Sequence, residues 1–153
     1  RNWDYSKTPE IYDTAWQYDV VSKYASGAEV IMSSRNQMGC KWIGEDGWIW
    51  VTRGKFEASN PEWLADDFNP GEWKTKKVGG HQRDFIDCIM SREETIAPAE
   101  NGHRAITPGH LAYVSHELGD VELKWDPVKE TVVGNEEAQK KLMDLPFRGD
   151  WKV

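Results

Sequence analysis

Two histidines and one arginine are the side chains of this chain best placed to handle a ligand. His81 follows Gly79-Gly80 and opens a helical run. An imidazole at a helix amino end feels the positive end of the backbone dipoles, which keeps a ring nitrogen free to accept from a substrate hydroxyl. The other use of that position is a surface or capping histidine. His103 and Arg104 follow Gly102 in the run ENGHR, where Glu100 can orient either side chain and Arg104 can fork onto a carboxylate. Such a cluster also serves as a structural ion pair tying a loop to a helix. His110 and His116 have no ligand spacing to a cysteine or a carboxylate pair, so no zinc site is expected. Asp66-Asp67 and Glu93-Glu94 are adjacent rather than facing, which does not suit a glycosidase acid and nucleophile. No GxSxG, Walker loop or HExxH occurs. Nor does a G-x-G-x-x-G open a helix after a strand, so the chain alone is not expected to hold a nicotinamide dinucleotide tightly.

The elements that must position these groups are legible from turn chemistry and periodicity. Segments 17–25 and 28–36 flank Ser26-Gly27, and segments 39–43 and 48–53 flank Gly44-Glu45-Asp46-Gly47. Both read as antiparallel hairpins, after an irregular lead-in that ends near Ala15. Asn60-Pro61 caps and starts a short helix over 60–68. Two longer helices are predicted over about 80–91 and 100–118. The first carries Phe85, Ile86, Ile89 and Met90 as one apolar stripe, and the second Ile106, Leu111, Val114 and Leu118. Pro108-Gly109 should kink or restart the second helix. A fifth strand over 121–125 and a solvated helix over 135–143, capped by Asn135, complete the pattern. Strands first and helices afterwards predict an α+β fold: an open, mostly antiparallel sheet with helices packed on one face.

Composition bounds the functions. The 153 residues suit one domain, and 19 Lys plus Arg against 26 Asp plus Glu give a net charge of -7. Phosphate binding wants a basic stripe, so nucleic acid is not an expected partner, and Lys74, Lys76 and Lys77 read as solvated. No apolar run reaches the length of roughly 18 residues that would suggest a membrane span. Cys40 in a strand and Cys88 in a helical stripe lack CxxC spacing and read as small buried residues. Nine tryptophans form a heavy aromatic load, and aromatic platforms stack on sugars, so a non-catalytic carbohydrate-binding or assembly domain is a rival reading. Trp48 and Trp50 share one face of a strand, which points to packing.

The segment GGHQRDFIDCIMSREETIAPAENGHR (79–104) resembles the substrate-side, carboxyl-terminal domain of Gfo/Idh/MocA nicotinamide-dependent sugar and cyclitol oxidoreductases, in a branch reading H-x-R-x-F-x-D-C-x-x-S-R, then A-P, then E-x-G-H-R. Similar stretches lie at 12–34, at 43–59, in LKWDPVKETVVGNEEAQKKL and in the closing FRGDWKV. The resemblance implies one carboxyl-terminal domain over 1–153, with the dinucleotide-binding domain absent from this chain. It also implies NAD or NADP in the full-length protein and a sugar or polyol substrate. His81, His103 and Arg104 would then stand on the substrate-facing wall, and a homo-oligomer would form through the sheet face. The family's catalytic lysine (E-K-P) and histidine (D-x-x-x-H) are expected upstream of residue 1, so no residue here is the principal base. Relatives that cleave glycosides through transient oxidation by a tightly held nicotinamide are a second enzymatic reading. Bacterial cytoplasm and periplasm both fit, since many relatives carry an export signal ahead of the domain.

Overall fold

A computed structural model describes residues 4–5, 15–69, 71–72 and 76–143. The chain gathers into two compact units, Asn36–Ile96 and the flanking segments Arg1–Arg35 with Ala97–Val153.

The lead-in is not wholly irregular. Strand β1 (Asp4–Tyr5) pairs antiparallel with β2 (Ala15–Gln17), a ladder with no sequence signal of its own. β3 (Asp19–Lys23) and β4 (Glu29–Ser33) form the expected hairpin, registered Asp19 to Ser33 and Lys23 to Glu29. Gly27 takes φ 89° at its tip, and the Tyr24 amide donates to the Ala28 carbonyl at 2.9 Å. The open end is fastened by Asp19, which accepts from the Ser33 hydroxyl and pairs with Arg35.

In Asn36–Ile96 the second hairpin gains a strand. β5 (Cys40–Ile43), β6 (Trp48–Thr52) and β7 (Lys55–Ala58) run antiparallel in that order, with Gly54 at φ 75° turning β6 into β7. Gly47 closes the β5–β6 loop at φ 148°. A Cβ there would stand 2.1 Å from the Ser59 hydroxyl, which accepts the Trp48 amide at 2.9 Å, so only glycine fits.

Register sorts the side chains of this sheet. Trp48 and Trp50 share one face with Lys41 and Glu57, and Trp50 is 5% exposed, as the packing reading requires. Lys41 lies over the Trp48 ring at 4.0 Å. Register places Cys40, Trp42, Ile49, Val51, Phe56 and Ala58 on the other face, every one apolar, with Trp42 60% and Phe56 62% exposed. The open face is therefore the one opposite Trp48 and Trp50, and Cys40 is exposed rather than buried.

The predicted short helix is a 3-10 turn over Pro61–Leu64, with the Asn60 side chain accepting from the Glu62 amide at 3.0 Å. α1 (His81–Ser91) follows and ends at Arg92 in the left-handed region. Its orientation corrects the periodicity reading. The buried residues are Asp84 and Cys88, whereas Phe85 is 59% and Met90 81% exposed, and Ile86 and Ile89 are exposed with them. Polar bonds decided the inner face. The Asp84 carboxylate accepts the Ile96 amide at 2.8 Å, and Cys88 Sγ lies 3.5 Å from the Glu94 carbonyl, so the loop after α1 folds back onto this side. Lys76 is exposed, as expected, and there it pairs with Glu93 at 3.3 Å and approaches Asp84 at 3.9 Å.

α2 (Ala99–Glu117) is one helix of 19 residues, running through Pro108 without the expected restart. Proline there removes the amide that would reach the Arg104 carbonyl. One residue earlier the Thr107 hydroxyl donates to the His103 carbonyl at 2.7 Å. Beyond α2, residues 121–124 are not a strand. The ladder is β8 (Trp125–Asp126) against β9 (Thr131–Val132), followed by α3 (Glu136–Met143). Asn135 caps α3, its side chain accepting the Ala138 amide at 2.9 Å. The core of this unit is Val114, Val132 and Ala138, ringed by Leu111, Leu118, Leu123, Trp125 and Leu142. Full burial of a valine side chain such as Val114 or Val132 stabilises by about 1.5 kcal/mol or more. Ile106 is exposed and takes no part.

Three helices and antiparallel ladders make this an α+β protein. The pairing is distributed among four separate sheets across the described residues. Lys74, Trp3, Trp73, Trp151 and the FRGDWKV tail lie outside the described residues.

Candidate functional site

The first turns of α2 bring His103 and Arg104 together on the turn between β8 and β9. That turn is built by Asp126, whose Oδ1 accepts the amides of Val128 and Lys129, each at 3.0 Å. These two bonds, Lys129 first, hold the Asp126 carboxyl below its ordinary value of 3.8. Glu130 leaves the turn with φ 53° and turns its carboxylate toward α2. Its Oε1 lies 3.0 Å from His103 Nε2 and 3.4 Å from Arg104 NH1.

Arg104 is held from two further directions. Its Nε donates to Glu100 at 2.7 Å, one helical turn back, and NH1 donates to the Pro127 carbonyl at 2.6 Å. The Glu100 hydrogen bond is the main reason the guanidinium is more firmly protonated than usual. The cluster is half exposed, with Arg104, His103 and Glu130 all reaching solvent. It ties a loop to a helix while leaving each ring or fork with an outward edge.

His81 stands elsewhere. It belongs to the Asn36–Ile96 unit, is the first residue of α1, and is exposed behind Gly80, which sits at φ 117° and supplies no side-chain cap. Of the three residues singled out by sequence, His103 and Arg104 are thus joined, and His81 is placed in the other unit. His110 is exposed, and His116 Nδ1 lies 2.9 Å from Asp120 Oδ1. Among the described residues no group of three or more His, Cys, Asp or Glu side chains could hold a metal ion.

Sequence reasoning missed Glu130 and Asp84. Glu130 lies 27 positions from His103, and nothing in its neighbourhood points to the contact. Asp84 did carry a signal. Aspartate and cysteine at i and i+4 (Asp84, Cys88) share a helix face, and a carboxylate on the buried side needs an amide partner.

The described helix starts do not suit a dinucleotide pyrophosphate. α1 is approached through the two glycines 79 and 80 from residues 76–78, which are not a strand, and α2 starts behind Pro98. No residue of this chain is assigned to the cofactor.

Antiparallel strand pairing with three α-helices defines the class as an α+β domain. The particular family is given by comparison: the family described as "Oxidoreductase family, C-terminal alpha/beta domain" matches residues 8–153. This chain belongs to the Gfo/Idh/MocA oxidoreductases, as their carboxyl-terminal domain. No curated protein and no solved structure gives a significant match.

Proposed function

We propose that the chain is the substrate-side domain, a single domain over 1–153, of an NAD(P)-dependent oxidoreductase acting on a sugar or cyclitol hydroxyl. A separate amino-terminal domain carries the dinucleotide. The observation that carries this reading is the family match across almost the whole chain. The cofactor, when bound by that other domain, supplies hydride acceptance; the wall supplies position. His81, His103 and Arg104 are its substrate-facing groups, the first as a hydrogen-bond acceptor and the last as a charged donor. Homo-oligomer formation through the exposed apolar face of β5, β6 and β7 belongs to the same proposal. Its support is that six apolar side chains share that face.

The test uses the oxidoreductase that contains this domain, assayed for polyol-dependent reduction of NAD or NADP. His81→Ala, His103→Ala and Arg104→Ala should each raise KM by roughly tenfold, the loss expected for a removed hydrogen bond. Release of an aglycone from a glycoside without net cofactor reduction would instead establish the glycosidase chemistry. Unchanged kinetics in all three variants would remove these residues from the substrate wall.

A further inference from the structure

We infer that Glu130 is a positioning residue that sets the hydrogen-bonding polarity of the α2 cluster, so that His103 offers an acceptor and Arg104 a donor to a neutral hydroxyl rather than to an anion. This deepens, and rests on, the reading of His103 and Arg104 as substrate-facing.

The first observation is backbone conformation. Glu130 has φ 53°, in the region where turn chemistry favours glycine or asparagine. A glutamate there gains nothing from the turn itself, and what it does gain is the contact of its carboxylate with two neighbouring side chains. An observed backbone outlier of this kind is a reason to look for function.

The second observation is the sharing of one oxygen. Glu130 Oε1 lies 3.0 Å from His103 Nε2 and 3.4 Å from Arg104 NH1. An ionised carboxylate only accepts, so Nε2 must carry a proton, and in the neutral ring Nδ1 is then left as an acceptor. Arg104 spends Nε on Glu100 and NH1 on Pro127 and Glu130. Its NH2 has no partner among the described residues, which makes it the outward donor. A hydroxyl donates to Nδ1 and accepts from NH2 within the same polyol. A carboxylate can satisfy only the second, and phosphate, although its P–OH could donate to Nδ1, would bring its negative charge up to two carboxylates, Glu100 and Glu130.

Nitrogen-detected NMR of the chain reads the ring tautomer directly. In the unaltered chain the neutral ring of His103 should carry its proton on Nε2. Glu130→Gln keeps an accepting oxygen and should preserve it. Glu130→Ala, an L-residue facing the same backbone demand, should mix the tautomers and weaken myo-inositol binding by about tenfold, while inorganic phosphate should leave the His103 signals unmoved. An Nδ1–H tautomer in the unaltered chain, no tautomer change in Glu130→Ala, or phosphate competing with myo-inositol would each overturn the inference. The two readings separate cleanly. If His103→Ala and Arg104→Ala leave inositol affinity unchanged, the substrate wall itself is wrong. If those lose binding and Glu130→Ala does not, only the role of Glu130 is lost.

Discussion

At the scale of single residues, the two cysteines are chemically opposite. Cys40 lies exposed on the sheet, and Cys88 is buried beneath α1. Burial first, and the neighbouring Asp84 carboxylate second, push the Cys88 thiol above its ordinary 9.0. Iodoacetamide near neutral pH should therefore alkylate Cys40 and leave Cys88 thiol-bound, as peptide mass mapping would show; equal rates would contradict the burial. Because the folded pKa is the higher one, the thiol's contribution to stability is complete below 9.0 and is lost as pH rises through the folded value. Cys88→Ala should remove that alkaline loss in denaturation curves. Asp84 is the more costly position. Asp84→Ala leaves the Ile96 amide without its acceptor and should cost about 1–3 kcal/mol, whereas Asp84→Asn keeps an oxygen and should cost less.

At the scale of elements, the β8–β9 turn is the part whose chemistry can be read by pH. The Val128 and Lys129 amides lower the Asp126 carboxyl, so the folded pKa lies beneath the unfolded one. Its stabilisation is present above 3.8 and disappears as pH falls through the folded value. The stability gap between the natural chain and Asp126→Asn should thus shrink from about pH 5 to about pH 2; a gap constant across that range would show that these bonds do not favour the ionised form. Elements also show where sequence reading succeeds. The Ser26-Gly27 and Asp46-Gly47 turns, the Asn60 and Asn135 caps and the helix starts near Gly80 and Glu100 act within a few residues, and each is found close to where local chemistry puts it. What escaped were effects of distant partners. The β1–β2 ladder depends on a pairing across nine intervening residues, from Tyr5 to Ala15. The face of α1 was set by the demand of the Ile96 amide for Asp84, which outweighed the apolar period of Phe85, Ile86, Ile89 and Met90. The site divides the same way: His103, Arg104 and Glu100 were visible as a cluster, and Glu130 was not.

At the scale of the whole molecule, the apolar face of β5, β6 and β7 is the feature that isolation leaves unsatisfied. Trp42 and Phe56 dominate it, and exposed apolar bulk of this kind favours pairing with another surface. Trp42→Glu and Phe56→Glu should reduce the oligomeric state in sedimentation without loss of far-ultraviolet circular dichroism. An unchanged sedimentation coefficient in both would remove this face from the proposed pairing. The Trp48–Trp50 face should not answer to such changes in the same way, since Trp50 is packed and its substitution would act on folding.

Pro108 carries a last consequence. The amide ladder of α2 lacks a rung at the Arg104 carbonyl, and the residues ahead of Ile106 are exposed, while Ala112 and Val114 beyond it are buried. One rod should therefore have two thermal compartments, a latter half that melts with the Val132 and Ala138 cluster and a leading half that unzips before it. The end that carries His103 and Arg104 should therefore exchange its amide hydrogens before the Val114 end does, tethered chiefly by the glutamates and the proline carbonyl that clasp it.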